Sequence, residues 1–308
     1  MTATLSPVDQ PGDPTPTLVA ADLRPQAGWR LLKSRIMIGL MGLSFAVILV
    51  PIVLVIGTVV SKGGGIVVRE FPKWFTTDIP VRGRAVGPGM KPAIIGTLVI
   101  TFLASALAIP LGILGAVYLN EYGKQSRPAK VVRFLSNVMT GVPSIVMGLF
   151  IYVIFTLRFG LSGLGGALAL ACLMLPVVIR STEEMLRLVP EHLREASYAL
   201  GTRKSRTILT VVLPSALPGT VSGCLLAIAR AAGETAPLFF TIGIVTKPNW
   251  NPFSGSNTAL PFQIFRNATS IYAGSKERAW GAAFTLVAIT FLFTVFARVV
   301  TSAYQKRR

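Results

Sequence analysis

The string Ala229-Arg230-Ala231-Ala232-Gly233-Glu234-Thr235-Ala236-Pro237 sets a guanidinium and a carboxylate four residues apart in an otherwise uncharged apolar stretch. An arginine at bilayer depth costs at least ~2.5 to 3.5 kcal/mol on insertion scales, so something must offset it. Positions i and i+4 of a helix reach each other, and a self-neutralising ion pair is the simplest compensation. The order, cation before anion, is the weaker one, and such a pair contributes only about 0.2 to 0.5 kcal/mol on an exposed helix. A guanidinium also presents a flat fork of donors suited to a tetrahedral oxyanion, so one half can hold Glu234 while the other takes an anion. Ala231, Ala232 and Gly233 leave room beside it, and Pro237 frees backbone of the kind tolerated where a cavity is lined. Three roles fit: an anion pathway through Arg230, Glu234 and Thr235, a purely structural pair, or a proton relay at Glu234.

Little other chemistry is available. The single histidine, His192, cannot build a metal site alone, and Cys172 and Cys224 both lie in apolar runs, which excludes a disulfide framework and a cysteine zinc cluster. No G-x-x-x-x-G-K-[ST] phosphate loop occurs, so any nucleotide chemistry belongs to another chain. The chain itself is expected to be non-catalytic and to bind no cofactor.

The elements that must hold Arg230 are membrane helices. Of 308 residues 52% are hydrophobic and only 14% charged, where a soluble domain carries roughly 25% charged residues. A soluble enzyme, a disordered chain and a collagen-like chain are therefore excluded together. Uncharged runs cover Ile36 to Val60, Ala93 to Leu119, Leu135 to Leu157, Leu161 to Ile179, Thr207 to Ala229 and Ala279 to Ala297. Each is long enough to cross a bilayer, giving six spans in an all-α protein surrounded by lipid. The first is longer than a signal-peptide core and no A-x-A site follows it, so it is expected to be retained. Residues 231–246 leave three possibilities: the end of a tilted fifth helix, a re-entrant piece, or an extra short span.

The net charge of +18 is first a topology signal. Lys124, Arg127, Lys130 and Arg133, and the run Lys306 to Arg308, adjoin ends of spans that share one side, which places both termini in the cytoplasm. The loop from Ser61 to Pro92 is also basic, so the bias is moderate. Charge used this way leaves no need for a nucleic-acid partner. The organisation expected is a disordered Pro-rich tail over 1–29, the first span and an extracytoplasmic loop over 30–92, a five-span core over 93–300 with a cytoplasmic loop at 180–214, and a basic tail over 301–308.

That loop suggests two short helices. Ser181 with Glu184 fits a capping box that would start the first. Pro190 stands where the second should begin and Gly201 where it should end, with Leu193, Ala196 and Leu200 on one face and Glu191, Arg194 and Glu195 elsewhere. On pattern alone it is an amphipathic connector on the membrane surface.

The string Glu195-Ala196-Ser197, three residues, Gly201, nine residues, Val211-x-Leu213-Pro214 resembles the EAA loop of bacterial ABC importer permeases, E-A-A-x3-G-x9-I-x-L-P. Ser197 and Val211 are the departures, and both keep small or β-branched character. Tyr118-Leu119-Asn120-Glu121-Tyr122, Gly141-Val142-Pro143-Ser144-Ile145-Val146, Leu175-Pro176, Arg180 through Leu186 and Arg230 through Leu238 look like the PstA-type permeases of phosphate importers. The likeness runs from about Ala93 to the C-terminus. It implies a six-helix, type I importer-like permease in the plasma membrane, moving inorganic phosphate by alternating access. It implies as partners a PstC-like permease, two ATPase subunits that hydrolyse ATP with Mg, and an extracytoplasmic phosphate-binding protein. In that setting Glu195, Ala196, Ser197, Gly201, Leu213 and Pro214 would couple to the ATPase. Ala196 and Ser197 would allow close approach, Gly201 would end the helix where a Cβ would clash, and Glu195 would offer a carboxylate. Sulfate, molybdate or tungstate remain alternative cargoes. A proton-coupled secondary transporter is the alternative of another class.

Overall fold

The computed structural model describes residues 29–80, 89–123 and 126–306; the expected N-terminal tail and residues 307–308 of the basic tail lie outside them. Among the described residues there are helices, turns and loops but no strand. Two units separate, residues up to Val55 and residues from Ile56 onward. The first consists, where described, of most of helix α1 (Trp29–Thr58), apolar on every side with no residue buried, the pattern of a helix meant for lipid.

In the second unit helix α2 (Lys91–Val117) runs on through a π-helical turn to Gly123. Its buried stripe is Gly96, Ile100, Ala104, Ala108, Gly112 and Ala116, one residue every four. Small side chains at that spacing let two backbones approach, the packing device available in a membrane, where helix association gains nothing from leaving water. The partner is helix α5 (Gly163–Arg187), whose Leu170, Met174 and Val178 join Ile100, Ala104 and Ala108 in one core with Ala227 and Ala231 of helix α7 (Leu213–Gly233). Polar side chains close remaining gaps: Thr97 Oγ1 accepts from the Leu260 backbone N–H at 2.7 Å and donates to the Ala93 carbonyl at 2.9 Å. Trp74 Nε1 likewise donates to Thr285 Oγ1 of the last helix at 2.9 Å.

Between α2 and α5 the expected continuous third span is broken. Helix α3 (Arg127–Gly141) and helix α4 (Ser144–Ile151, continuing to Phe159) meet at 108°. The cause lies in Val142-Pro143: a residue before proline is pushed out of the α region, and Val142 is extended at φ −71°, ψ 128°. Among the described residues five helices are long and apolar enough to cross a membrane, or six if the bent pair is one span.

Helix α5 overturns the expected start at Ser181. It continues without interruption to Arg187, and the Ser181 hydroxyl donates backward to the Val178 carbonyl at 3.3 Å. Glu184 points to Arg180, not to a cap. The reason is tertiary: Thr182, Glu183 and Leu186 extend the buried face of α5 beyond its apolar run, so the helix is held by packing where composition alone suggests a stop. Helix α6 (Glu191–Ala199) follows, framed by Pro190 and Gly201 as expected. After α7 come helix α8 (Ala236–Thr241), helix α9 (Leu260–Ala268) and helix α10 (Ala273–Lys306).

Candidate functional site

Two ionic sites result, at different levels of the bundle. The first includes Arg230, Glu234 and Thr235. Helix α7 ends at Gly233; Glu234 is already extended at φ −70°, ψ 128°, and Thr235 precedes the six-residue α8. The stretch 231–246 is therefore split: Ala231 to Gly233 finish α7, and after the break at Glu234 the six-residue α8, too short for a span of its own, packs on α4 and α5. The contact with α4 is close enough that a Cβ on Gly148 would lie 2.6 Å from Pro237 Cα.

The expected pair forms only loosely: Arg230 Nε and Glu234 Oε1 are 3.5 Å apart, and the Arg230 side chain is 63% exposed. The guanidinium is thus on an open face of this chain, not inside it. The cavity bordered by Arg230, Glu234, Leu173, Met174 and Val177 holds only about 10 Å³, less than an oxyanion occupies. Thr235 is half-buried beside Glu234 and its hydroxyl caps nothing.

The second site is the end of the bundle where α2, α5, α6 and the lead-in to α7 meet. Helix α6 buries Leu193 partly and Arg194 and Ser197 almost fully, and leaves Glu195, Ala196, Tyr198 and Leu200 exposed. The apolar face of Leu193, Ala196 and Leu200 is therefore divided between the bundle and the surface. Leu193 packs with Leu186, Val189, Val212, Ala116 and the half-buried Leu213, while Ala196 and Leu200 look outward, Leu200 at 84% exposure. Pro214 opens helix α7, where its missing N–H costs nothing.

Ser197 does more than stay small. Its hydroxyl lies 2.6 Å from Thr202 Oγ1 and 2.9 Å from Thr207 Oγ1, and the two threonine hydroxyls are 2.9 Å apart. A buried hydroxyl costs stability unless partnered, and this triangle partners three. Gly201 closes α6 with φ +78°, its N–H donating to Tyr198 O and that of Thr202 to Ser197 O, the pairing of a Schellman turn. Nothing lies within 4 Å of where its Cβ would be. The expected steric clash is absent, and the left-handed backbone is what asks for glycine.

Arg194, which the sequence reading set off the apolar face of α6, is nearly buried, and so is Glu121. Arg194 and Glu121 have side chains 7% and 4% exposed and meet at 2.9 Å, across 73 positions of chain. No spacing rule reaches that far. The available hint was local: Arg194 shares a helix face with Leu193 and Ser197 as well as any residue does, and Glu121 sits at the end of an uncharged run. Beside them Glu183 binds Arg133 at 2.8 Å and Arg187 at 2.6 Å, and Arg133 also donates to Leu119 O at 2.8 Å. This second cluster ties α3 to α5 at the rim of a cavity of about 200 Å³. Among the described residues no group of His, Cys, Asp and Glu could hold a metal ion.

Residues 108–308 match the family model of the binding-protein-dependent transport system inner membrane component. The chain belongs to this family. Among relatives of this permease family, the phosphate transport system permease protein PstA 1 of Mycobacterium tuberculosis (strain ATCC 25618 / H37Rv) is 41% identical over 288 residues, 92% of this chain and 92% of that one. PstA of Mycobacterium leprae (strain TN) is 42% identical over 280 residues, covering 90% and 91%, and PstA of Yersinia pestis 38% over 287, covering 92% and 95%. The inward-facing MetNI methionine ABC transporter contains a chain of the same fold, with a TM-score of 0.53 at 20% identity, covering 68% of this chain and 90% of that one. The permease is thus a multi-pass protein of the inner membrane.

Proposed function

We propose that this chain is the transmembrane permease subunit of an ATP-driven phosphate importer. The observation that carries the reading is about 40% identity along nine-tenths of the chain to relatives that are themselves named phosphate permeases. The geometry supports it from two sides. Helix α6 offers Glu195, Ala196 and the exposed Leu200 to a neighbour while Ser197 and Leu213 hold its base, an arrangement suited to docking in a groove on an ATPase. Arg230 lies on an open face with no enclosed cavity of its own, so a second, PstC-like permease would supply the opposite wall of the pathway.

In this reading both termini and α6 are cytoplasmic, two ATPase subunits bind ATP and Mg and hydrolyse it, and an extracytoplasmic binding protein delivers phosphate. The chain is not itself catalytic and needs no nucleic acid. Closure of the ATPases shifts the bundle from inward-open to outward-open, and reopening releases the anion inward. Arg230 receives it as a bidentate donor, with Glu234 holding the guanidinium when the pathway is empty and Thr235 adding a hydroxyl.

The test is uptake of radioactive phosphate by liposomes holding the four-protein complex. ATP-dependent accumulation, competed by unlabelled phosphate and not by sulfate, molybdate or tungstate, is expected. Competition by one of those oxyanions reassigns the cargo, and accumulation driven by a proton gradient without ATP overturns the importer reading.

A further inference from the structure

Arg194 holds more of the molecule together than a docking helix requires. Its Nη1 donates to the Val189 carbonyl at 2.8 Å and to Glu191 at 3.2 Å; its Nη2 donates to the Leu186 carbonyl at 3.0 Å and to Glu121 Oε1 at 2.9 Å. Leu186 belongs to the last turn of α5, whose carbonyls have no partner within their own helix. Glu121 belongs to the π-turn that ends the α2 span. Lys204, in the lead-in to α7, donates to the backbone carbonyl of the same Glu121 and stands 4.7 Å from the centre of the Tyr122 ring. One guanidinium and one carboxylate thus join the docking helix to the ends of two long helices, and the Glu121 carbonyl ties in the lead-in of a third through Lys204.

An apolar contact between α6 and the bundle would let one slide over the other at modest cost. The Arg194 fork does not slide: any displacement strands a buried charge and takes from the Val189 carbonyl its guanidinium donor, both costly. Lysine offers a point charge and no planar fork, so it cannot bridge the same four acceptors. We propose that Arg194, with Glu121, is a positioning residue for transport: it makes α6 move as one body with the ends of α2 and α5, so that a displacement imposed on the exposed face of α6 reaches the spans and is not absorbed in the loop. The proposal rests on the importer reading given above.

The experiment uses the complete complex in liposomes and measures phosphate accumulated per ATP hydrolysed, per assembled complex. Arg194→Lys keeps the charge and loses the fork; Glu121→Gln keeps the shape and loses the charge. The expected result is continued ATP hydrolysis with the transport ratio down about fivefold or more in each, and a double variant no worse than the poorer single one. If uptake and hydrolysis fall together so that the ratio stays at the wild-type value, the pair is merely structural and the proposal is overturned. Reduced assembly does not change that decision, because the ratio is taken on the assembled fraction. A wild-type complex that hydrolyses ATP yet accumulates no phosphate breaks the importer reading instead, before any variant is compared.

Discussion

Two arginine–glutamate pairs in this permease have the same chemistry and opposite surroundings. Arg194–Glu121 joins residues 73 positions apart at 2.9 Å with both side chains nearly inaccessible; Arg230–Glu234 joins neighbours on one helix turn at 3.5 Å with the arginine 63% exposed. The first gives up hydration and is repaid by full coordination, which makes it a fixed joint. The second keeps most of its donors uncommitted, as the proposed role of receiving and releasing an anion requires. Burial thus separates a charge that holds structure from one available for transport.

The largest expected effect follows from removing one half of the fixed joint. Arg194→Ala leaves Glu121 charged, buried and short of its partner, and breaking a buried pair costs about 3 to 5 kcal/mol. Thermal unfolding of the purified complex, or the yield of assembled subunit, should fall accordingly. A change no larger than that of a surface pair would mean that the end of the bundle is wet and that the contrast between the two sites is lost.

Arg230→Ala should invert that pattern. The exposed pair adds little to stability, so assembly and unfolding should match wild type. Phosphate uptake should fall by roughly tenfold or more, since a hydrogen bond to a charged group contributes about 1.5 to 3 kcal/mol. Normal uptake by a fully assembled Arg230→Ala complex would reduce the pair to a structural feature.

How much of this was legible in the sequence depends on the range of the contact. The runs that make α2, α5, α7 and α10 were legible because apolar length is a local property, and Pro190 and Gly201 marked the ends of α6 because their backbone preferences are local too. The break at Val142-Pro143 was written in a single dipeptide but was masked by the uncharged run around it. The joint at Arg194 was not legible, because three of its four acceptors are local but the carboxylate that pairs with it lies 73 positions away and only the fold brings it there. The apolar set on α6 divides for a related reason: Leu193 packs on the bundle while Ala196 and Leu200 stay outward, as the proposed docking on another protein requires, and spacing alone does not say which member goes where. The i,i+4 contact of Arg230 with Glu234 was legible because it is local, but the surroundings of Arg230 were not, since an apolar stretch of sequence does not say whether a side chain faces its own chain, a partner or a pathway.

A smaller effect is expected at Gly201. Its φ of +78° costs a residue with a Cβ roughly 1 to 2 kcal/mol, and the open space around it means that no clash adds to this. Gly201→Val should lower the melting temperature of the complex by a few degrees and weaken ATPase retention in a pull-down, while Gly201→Asn, which tolerates the left-handed region better, should restore most of both. Equal damage from the two would point to an ATPase side chain packed against this turn.

The smallest effect separates a helix that starts from one that continues. Were Ser181 an N-cap, Ser181→Ala would cost about 0.5 to 2 kcal/mol. In the continuous α5 its hydroxyl bonds back to Val178 O, a contact that slightly bends and weakens helices, and alanine is the better helix former. Ser181→Ala is therefore expected to leave stability unchanged or raise it by a few tenths of a kcal/mol, measured as the unfolding midpoint of the complex. A loss near 1 kcal/mol would place a helix boundary at 181 and separate Glu183 from the rigid body that Arg133, Arg187 and the rest of α5 now form.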